Sequence, residues 1–225
     1  MGLHLVIGNK NYSSWSMRPW IALKAANIPF DETLIPLLRP ESKAKILAFS
    51  PAGKVPILID GDTTVWESLA ILEYLADRFP RAGLWPADAA ARAHARAVAT
   101  EMHGGFVALR RELPMNMWRP EQSRAVTAEA AAGVTRIDAI WSDCRRRFGA
   151  GGPFLFGQFC AADAMYAPVI SRFATYAVEV SAPARAYMDA VMALPAWKEW
   201  EAAALKEEWV LAEDEVDWPE VKRVK

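Results

Sequence analysis

Val55-Pro56-Ile57-Leu58-Ile59-Asp60-Gly61-Asp62-Thr63-Thr64-Val65-Trp66-Glu67-Ser68 decides how the first third of the chain folds. Two β-rich runs, Val55 to Asp60 and Thr63 to Trp66, flank Gly61-Asp62, a spacing that predicts an antiparallel hairpin with a tight turn. Leu69, Leu72, Leu75 and Phe79 then recur at helical spacing. Upstream, Leu3 to Gly8 reads as a short buried strand, and a polar loop from Asn9 to Ser14 leads into a helix ending near Asn27. Ser13, Ser14 and Ser16 are its candidate caps, with Pro19 expected in its first turn, where a missing N–H costs little. Asp31 to Pro36 is the next strand, and Ser42 to Phe49 a short helix stopped by Ser50-Pro51-Ala52-Gly53. The order βαβ, α, ββα combines a parallel crossover with a hairpin and predicts an α/β unit.

The pattern then changes. Pro80 to Pro86 suits a linker, and no strand signal follows it. Ala89 to Leu113 reads as one long helix closed by Pro114. Ile137, Ile140, Trp141, Cys144 and Phe148 keep helical spacing until Gly149-Ala150-Gly151-Gly152-Pro153. Ala161 to Val178, Pro183 to Ala193 and Ala196 to Leu205 complete an all-α second part. The charged last twenty residues carry Trp209 and Trp218 as anchors. Two domains are expected, 1–80 and 88–225.

With 26 basic and 27 acidic residues the net charge is −1, so nothing favours nucleic acid or an acidic membrane surface as a partner. Arg145-Arg146-Arg147 reads as a solvated helix end. Cys144 and Cys160 are too few for a disulfide framework, and His4, His94 and His103 are scattered, so no metal is expected. No apolar stretch approaches the roughly 20 residues a membrane span needs. A soluble, cytoplasmic protein is expected.

Three features of the first part carry chemistry. The serine cluster opens a helix, where unpaired N–H groups and the helix dipole stabilise an anion such as a thiolate, and a hydroxyl adds a hydrogen bond to sulfur. Each serine is equally an ordinary cap. Lys54-Val55-Pro56 precedes a strand, and the X-Pro bond is open to both isomers. There the Val55 backbone can hold an extended peptide and Lys54 can meet a carboxylate, or the proline simply enters a strand. Glu67-Ser68 precedes a helix, so that Ser68 can cap it, its N–H groups can bind a carboxylate and Glu67 can pair with an amine. A small peptide with a central cysteine and a γ-linked glutamate satisfies all three.

Ser13-Ser14-Trp15-Ser16-Met17-Arg18, Pro51-Ala52-Gly53-Lys54-Val55-Pro56 and Trp66-Glu67-Ser68 with Ile71-Leu72-Glu73-Tyr74-Leu75 resemble the signature of cytosolic glutathione transferases. Gly157 to Asp163 with Pro168 resembles that family's start of a helix in the second domain, so the resemblance runs along the whole chain. It implies a thioredoxin-like N-terminal domain, an all-helical C-terminal domain, and a detoxifying homodimer that uses glutathione as co-substrate against a small hydrophobic electrophile. The serine motif is most similar to the zeta class, which includes maleylacetoacetate isomerases. That class implies Ser13 as the thiol-activating hydroxyl, whereas similarity to theta-like serine enzymes implies Ser14; both stand. The same resemblance implies Trp15, Ser16, Lys54, Val55, Pro56, Glu67 and Ser68 as glutathione-binding residues. Trp15 replaces the zeta cysteine, and Val107 and Arg111 replace a glutamine and an asparagine, so the isomerase pocket departs from pattern. Arg110, Arg111, Met115 and Asn116 are candidates to line a second-substrate pocket. A glutathione-dependent cis–trans isomerase and a non-catalytic binding module are the alternatives. Cys160 to Asp163 has the spacing of a capping box, with sulfur standing in for the usual hydroxyl.

Overall fold

The computed structural model describes residues 2–216. Strands β1 (Leu3–Ile7), β2 (Phe30–Leu34), β3 (Ile57–Asp60) and β4 (Thr63–Trp66) form one sheet in the order β2-β1-β3-β4. β1 runs parallel to β2 with Leu5 opposite Glu32, and antiparallel to β3 with Leu5 opposite Leu58. The hairpin register pairs Ile57 with Trp66 and Asp60 with Thr63, which leaves Val55 and cis-Pro56 ahead of the ladder. Helices α1 (Ser14–Ala25), α2 (Ser42–Leu47) and α3 (Ser68–Arg78) complete a thioredoxin-like domain.

A helical domain follows: α4 (Ala89–Gly104), α5 (Val107–Glu112), α6 (Ala128–Phe148), α7 (Ala161–Thr175), α8 (Ala182–Met192) and α9 (Pro195–Ala204). α7 is its centre. Fourteen of its residues are buried, and it packs against α1 on one side and α4 on another. The apolar core runs unbroken across the two domains, from Leu5, Trp20 and Ile71 to Trp141, Tyr166 and Phe173. Trp20 meets Trp200 edge-on at 5.2 Å across the seam. The proline-rich connection adds Leu84 and Trp85 to this core around a short turn at Pro80–Ala82.

Several elements differ from expectation for identifiable reasons. Ser13 caps α1, so Pro19 falls in the helix interior rather than its first turn and removes one ladder bond. Expected Ala89 to Leu113 is two helices, not one. Gly105 is extended and Phe106 left-handed (φ 59°), and a Cβ at Gly105 would lie 2.7 Å from the Glu101 carbonyl oxygen. Carbonyls freed at the end of α4 are taken up by Arg110, whose Nη1 donates to the His103 oxygen at 3.2 Å. Arg145 is no solvated residue either: it donates to the carbonyls of Gly149, Gly152 and Phe154 and so folds the glycine loop, while Arg146 and Arg147 pair with Asp143.

After α9 the chain returns over the first domain. Glu207 accepts from the backbone N–H groups of Lys10 and Asn11 at 2.6 and 3.0 Å. Glu215 accepts from the Tyr12 hydroxyl and from Asn116. Carboxylates and buried Leu211 anchor this segment, with Trp209 only half-buried; Trp218 lies outside the described residues.

Candidate functional site

The seam between the domains opens into two cavities that meet at Trp15, Lys54 and Val55. The larger, about 600 Å³, is entered past the start of α1. Here the serines divide their labour. Ser13 Oγ accepts from the Ser16 N–H at 3.4 Å, and its own proton goes to Ser16 Oγ at 2.8 Å. Ser16 is wholly buried, accepts from the Gly8 N–H at 3.0 Å, and lines neither cavity. Ser14 is the first helical residue, and its Oγ accepts from Arg172 Nη2 at 3.2 Å. With one lone pair taken by Arg172, the Ser14 proton is left to donate into the cavity. Tyr12 also lines the cavity, but its O–H goes to Glu215, and burial followed by that carboxylate pushes its pKa upward.

Arg172 comes from α7 and is buried, with Nε and Nη1 unpartnered among the described residues. Burial first, and then the charge of Arg110, lower its pKa to about 10. Arg18 is wholly buried in α1; its guanidinium lies 4.2 Å from the Trp15 ring centroid and donates to Ser68 Oγ at 3.3 Å. Burial, then Arg172 and Arg110, pull its pKa well below the usual guanidinium range, yet a guanidinium holds its proton at neutral pH. Arg110 from α5 sits 5.2 Å from the same indole. Arg110 and Arg172 thus line the larger cavity, with Arg18 buried behind Trp15. Two carboxylates line the larger cavity as well, Glu213 and Asp214, and burial and Glu213 raise the Asp214 pKa to about 6, which leaves Asp214 poorly charged on the acid side of neutrality. Such a surface favours an anion.

At the smaller cavity, about 320 Å³, β4 hands over to α3. Glu67 holds the N-cap position with φ 68° and makes no side-chain cap bond. A positive φ outside the common regions at a non-glycine residue costs on the order of 1–3 kcal/mol and persists where its surroundings enforce it. The twist projects the carboxylate into the cavity, within 3.5 Å of His103 Nε2. Ser68 does not cap α3 as expected: it is the first helical residue, and its hydroxyl turns inward to accept from Arg18 and donate to the Met165 sulfur. Ser68 still lines the cavity with Val55 and cis-Pro56, and Lys54 stands exposed at the junction.

Of the second-pocket candidates, Arg110 and Met115 line the larger cavity. Arg111 points away, on the far side of the short α5, and pairs with Glu112 at 3.5 Å. Asn116 is buried against Glu215 and serves the returning segment. Arg18, His103 and Arg172 were not anticipated. The available signal was a lone arginine inside an apolar helical run, twice over, and a histidine just before Gly104-Gly105.

Residues 12–78 match the model of the glutathione S-transferase N-terminal domain, and residues 124–203 that of its C-terminal domain. A probable maleylacetoacetate isomerase of Caenorhabditis elegans is 39% identical over 94 residues, 42% of this chain and 44% of that protein. A dichloromethane dehalogenase of Methylorubrum extorquens is 41% identical over 64 residues, 26% of this chain and 21% of its own length. These two matches each span less than half of the relative. Glutathione S-transferase Z2 of Arabidopsis thaliana is 29% identical over 152 residues, 63% of this chain and 68% of the relative. Among solved structures, a glutathione transferase homolog from Burkholderia with bound glutathione superposes with a TM-score of 0.69 at 22% identity, covering 92% of this chain and all of that one, a likeness of fold. The two domain models fall in order on the two halves of the fold and together take in well over half of its residues: the chain belongs to the glutathione S-transferase family.

Proposed function

We propose that the protein is a glutathione transferase in which Ser14, rather than Ser13, stabilises the glutathione thiolate. One observation carries this reading: both serines line the larger cavity, but Ser13 spends its proton on Ser16, whereas Ser14 keeps its own, with Arg172 behind it. The thiol gives its proton to solvent. The resulting sulfur anion accepts from the Ser14 hydroxyl at the positive end of α1 and attacks an electrophilic carbon, forming a C–S bond as the leaving group departs with the displaced electron pair. The Val55 backbone pairs with the cysteinyl unit, Glu67 takes the γ-glutamyl ammonium, and Lys54 lies within the same cleft. The electrophile occupies the larger cavity, whose wall joins apolar Met115 and Leu211 to Arg110 and Arg172.

A second reading is favoured by the arginine cluster. An anionic unsaturated substrate held by Arg110 and Arg172 can add the thiolate to one alkene carbon, rotate about the former double bond, and expel the thiolate again. This is glutathione-dependent isomerisation of the kind named by the C. elegans relative. A homodimer and a cytoplasmic location belong to the same proposal, and gel filtration tests the former. Retention on a glutathione column, combined with turnover of an aryl halide, of its carboxylated analogue and of a cis-ene-dione acid, separates the possibilities. Conjugation supports the transferase. Conversion of the cis acid with glutathione recovered supports the isomerase. Retention without any turnover leaves a binding module and contradicts both enzymatic readings.

A further inference from the structure

The γ-glutamyl end of the cleft contains a contact that crosses from the helical domain. His103 lies in the last turn of α4, and its Nε2 stands 3.5 Å from Glu67 Oε2 at the start of α3. The ring is held on two sides. Its edge meets the Trp15 indole at 5.3 Å and 73°, and its backbone carbonyl is tied by Arg110. Nδ1 is buried with no hydrogen-bond partner among the described residues. A buried N–H without an acceptor is rarer and costlier than an unused lone pair, so the proton belongs on Nε2, facing the carboxylate.

We infer that His103 is a positioning residue for amine recognition: from the helical domain it holds one oxygen of Glu67 and so aims the other at the ammonium of a γ-glutamyl group. This rests on the glutathione reading of the cleft. A neutral donor suits the task, because it fixes the carboxylate without cancelling its charge; a lysine or arginine there would compete with the ligand's own cation. The groups facing His103 are Arg18 from α1, Glu67 from the start of α3, and Arg110 from α5. Burial and the two arginines outweigh Glu67 and lower the imidazole pKa below 6.5, so the ring is neutral at pH 7. Protonation on the acid side sets a full positive charge beside the carboxylate, which offsets the attraction of its other oxygen for an ammonium. Affinity for glutathione therefore falls as pH drops through that pKa, while the chemistry at sulfur is not addressed.

The test is the full-length protein, wild type, His103→Phe and His103→Gln, assayed for glutathione KM and kcat as functions of pH, with glutathione binding followed by tryptophan quenching. Phenylalanine keeps the ring against Trp15 but removes the polar contact to Glu67; it should raise KM about fivefold, with kcat within about twofold. Glutamine restores a neutral N–H donor; it should bring KM back to within about twofold and abolish the acid-side rise. An unchanged KM in His103→Phe overturns the inference, as does a fall in kcat alone, which would place His103 at the sulfur. An acid-side rise that survives in His103→Gln also overturns it. Wild-type protein that binds no glutathione sinks the underlying reading as well, whereas equal binding by wild type and His103→Phe sinks only the role of His103.

Discussion

The starts of α1 and α7 are both buried helix N-termini, and the two helices pack against one another, yet only one is open to a ligand. At α7 the chain closes its own end. Asp163 accepts from the Cys160 and Leu155 N–H groups at 2.8 and 3.0 Å, and the Cys160 sulfur faces the third helical N–H as the other half of a capping box. At α1 the cap is made by Ser13 alone, and the next residue keeps a spare proton in a cavity. A helix terminus is thus a site for an anion only where local side chains leave it unsatisfied. α7 still serves the site from further along its length, because it delivers Arg172 beneath Ser14.

The largest effect should come from the open end. Ser14→Ala removes a directed donor and should cost ~2.7–4 kcal/mol in the barrier, a fall in kcat of about 10²–10³, with folding intact. Ser13→Ala should instead act on stability, by ~1 kcal/mol for a lost cap. Steady-state rates and denaturant midpoints of both variants check the division. Equal losses of rate would erase the distinction drawn between the two serines.

The closed end predicts a pH effect. Burial raises the Asp163 pKa from 3.8 to about 6. The folded state then binds more protons than the unfolded one between those values, so this group's contribution to stability is full below pH 4 and declines as pH rises through 6. The span amounts to about 3 kcal/mol. Asp163→Asn retains one acceptor oxygen and removes the titration, so the difference between wild-type and variant unfolding free energies should drift by that order from pH 4 to 7. A constant difference would mean that the two N–H bonds compensate burial fully.

α3 stands between these cases: its end is open, but a strained residue guards it. Glu67→Gln should raise the KM for glutathione about tenfold, roughly 1.4 kcal/mol, with kcat unchanged, since the amine is held in ground and transition states alike. Glu67→Gly should lose the same affinity while gaining about 1 kcal/mol of stability, because glycine accepts φ 68° without strain. Calorimetric melting beside glutathione titration separates the two effects. The smallest change is at α7. Cys160→Ser should stabilise by up to ~1 kcal/mol if the hydroxyl is the better acceptor. A clear loss would show that apolar packing of the sulfur outweighs capping.

What could be read from the sequence follows the same physics. Period-two and period-3.6 patterns depend on near neighbours, so the four strands, α1 and the last three helices were legible to within a few residues, while the start of α6 and the break between α4 and α5 were not. Ser13, Ser14, Lys54-Val55-Pro56 and Glu67-Ser68 could be singled out because each is a local motif, and the structure gathers them around the two cavities. What failed were judgements needing a distant partner. Ser68 could cap α3 on its own terms, but Arg18, fifty residues upstream, claims its hydroxyl. Ser13 and Ser14 were indistinguishable until Arg172 arrived from α7. Gly104-Gly105 gave a local stop signal that the long periodicity of α4 obscured, and missing it mis-aimed Arg111. For the returning segment the sequence offered tryptophans as anchors, whereas Glu207 and Glu215, which bond to Lys10 and Tyr12, could not be told from solvated carboxylates.

Ultraviolet titration of glutathione bound to wild type, Ser13→Ala and Ser14→Ala tests the central claim most directly. Free thiols titrate near pH ~8.5. Wild type and Ser13→Ala should both show thiolate absorbance appearing about two pH units lower, and Ser14→Ala should return it toward the free value. Thiolate formation unchanged in Ser14→Ala but displaced upward in Ser13→Ala would contradict the account.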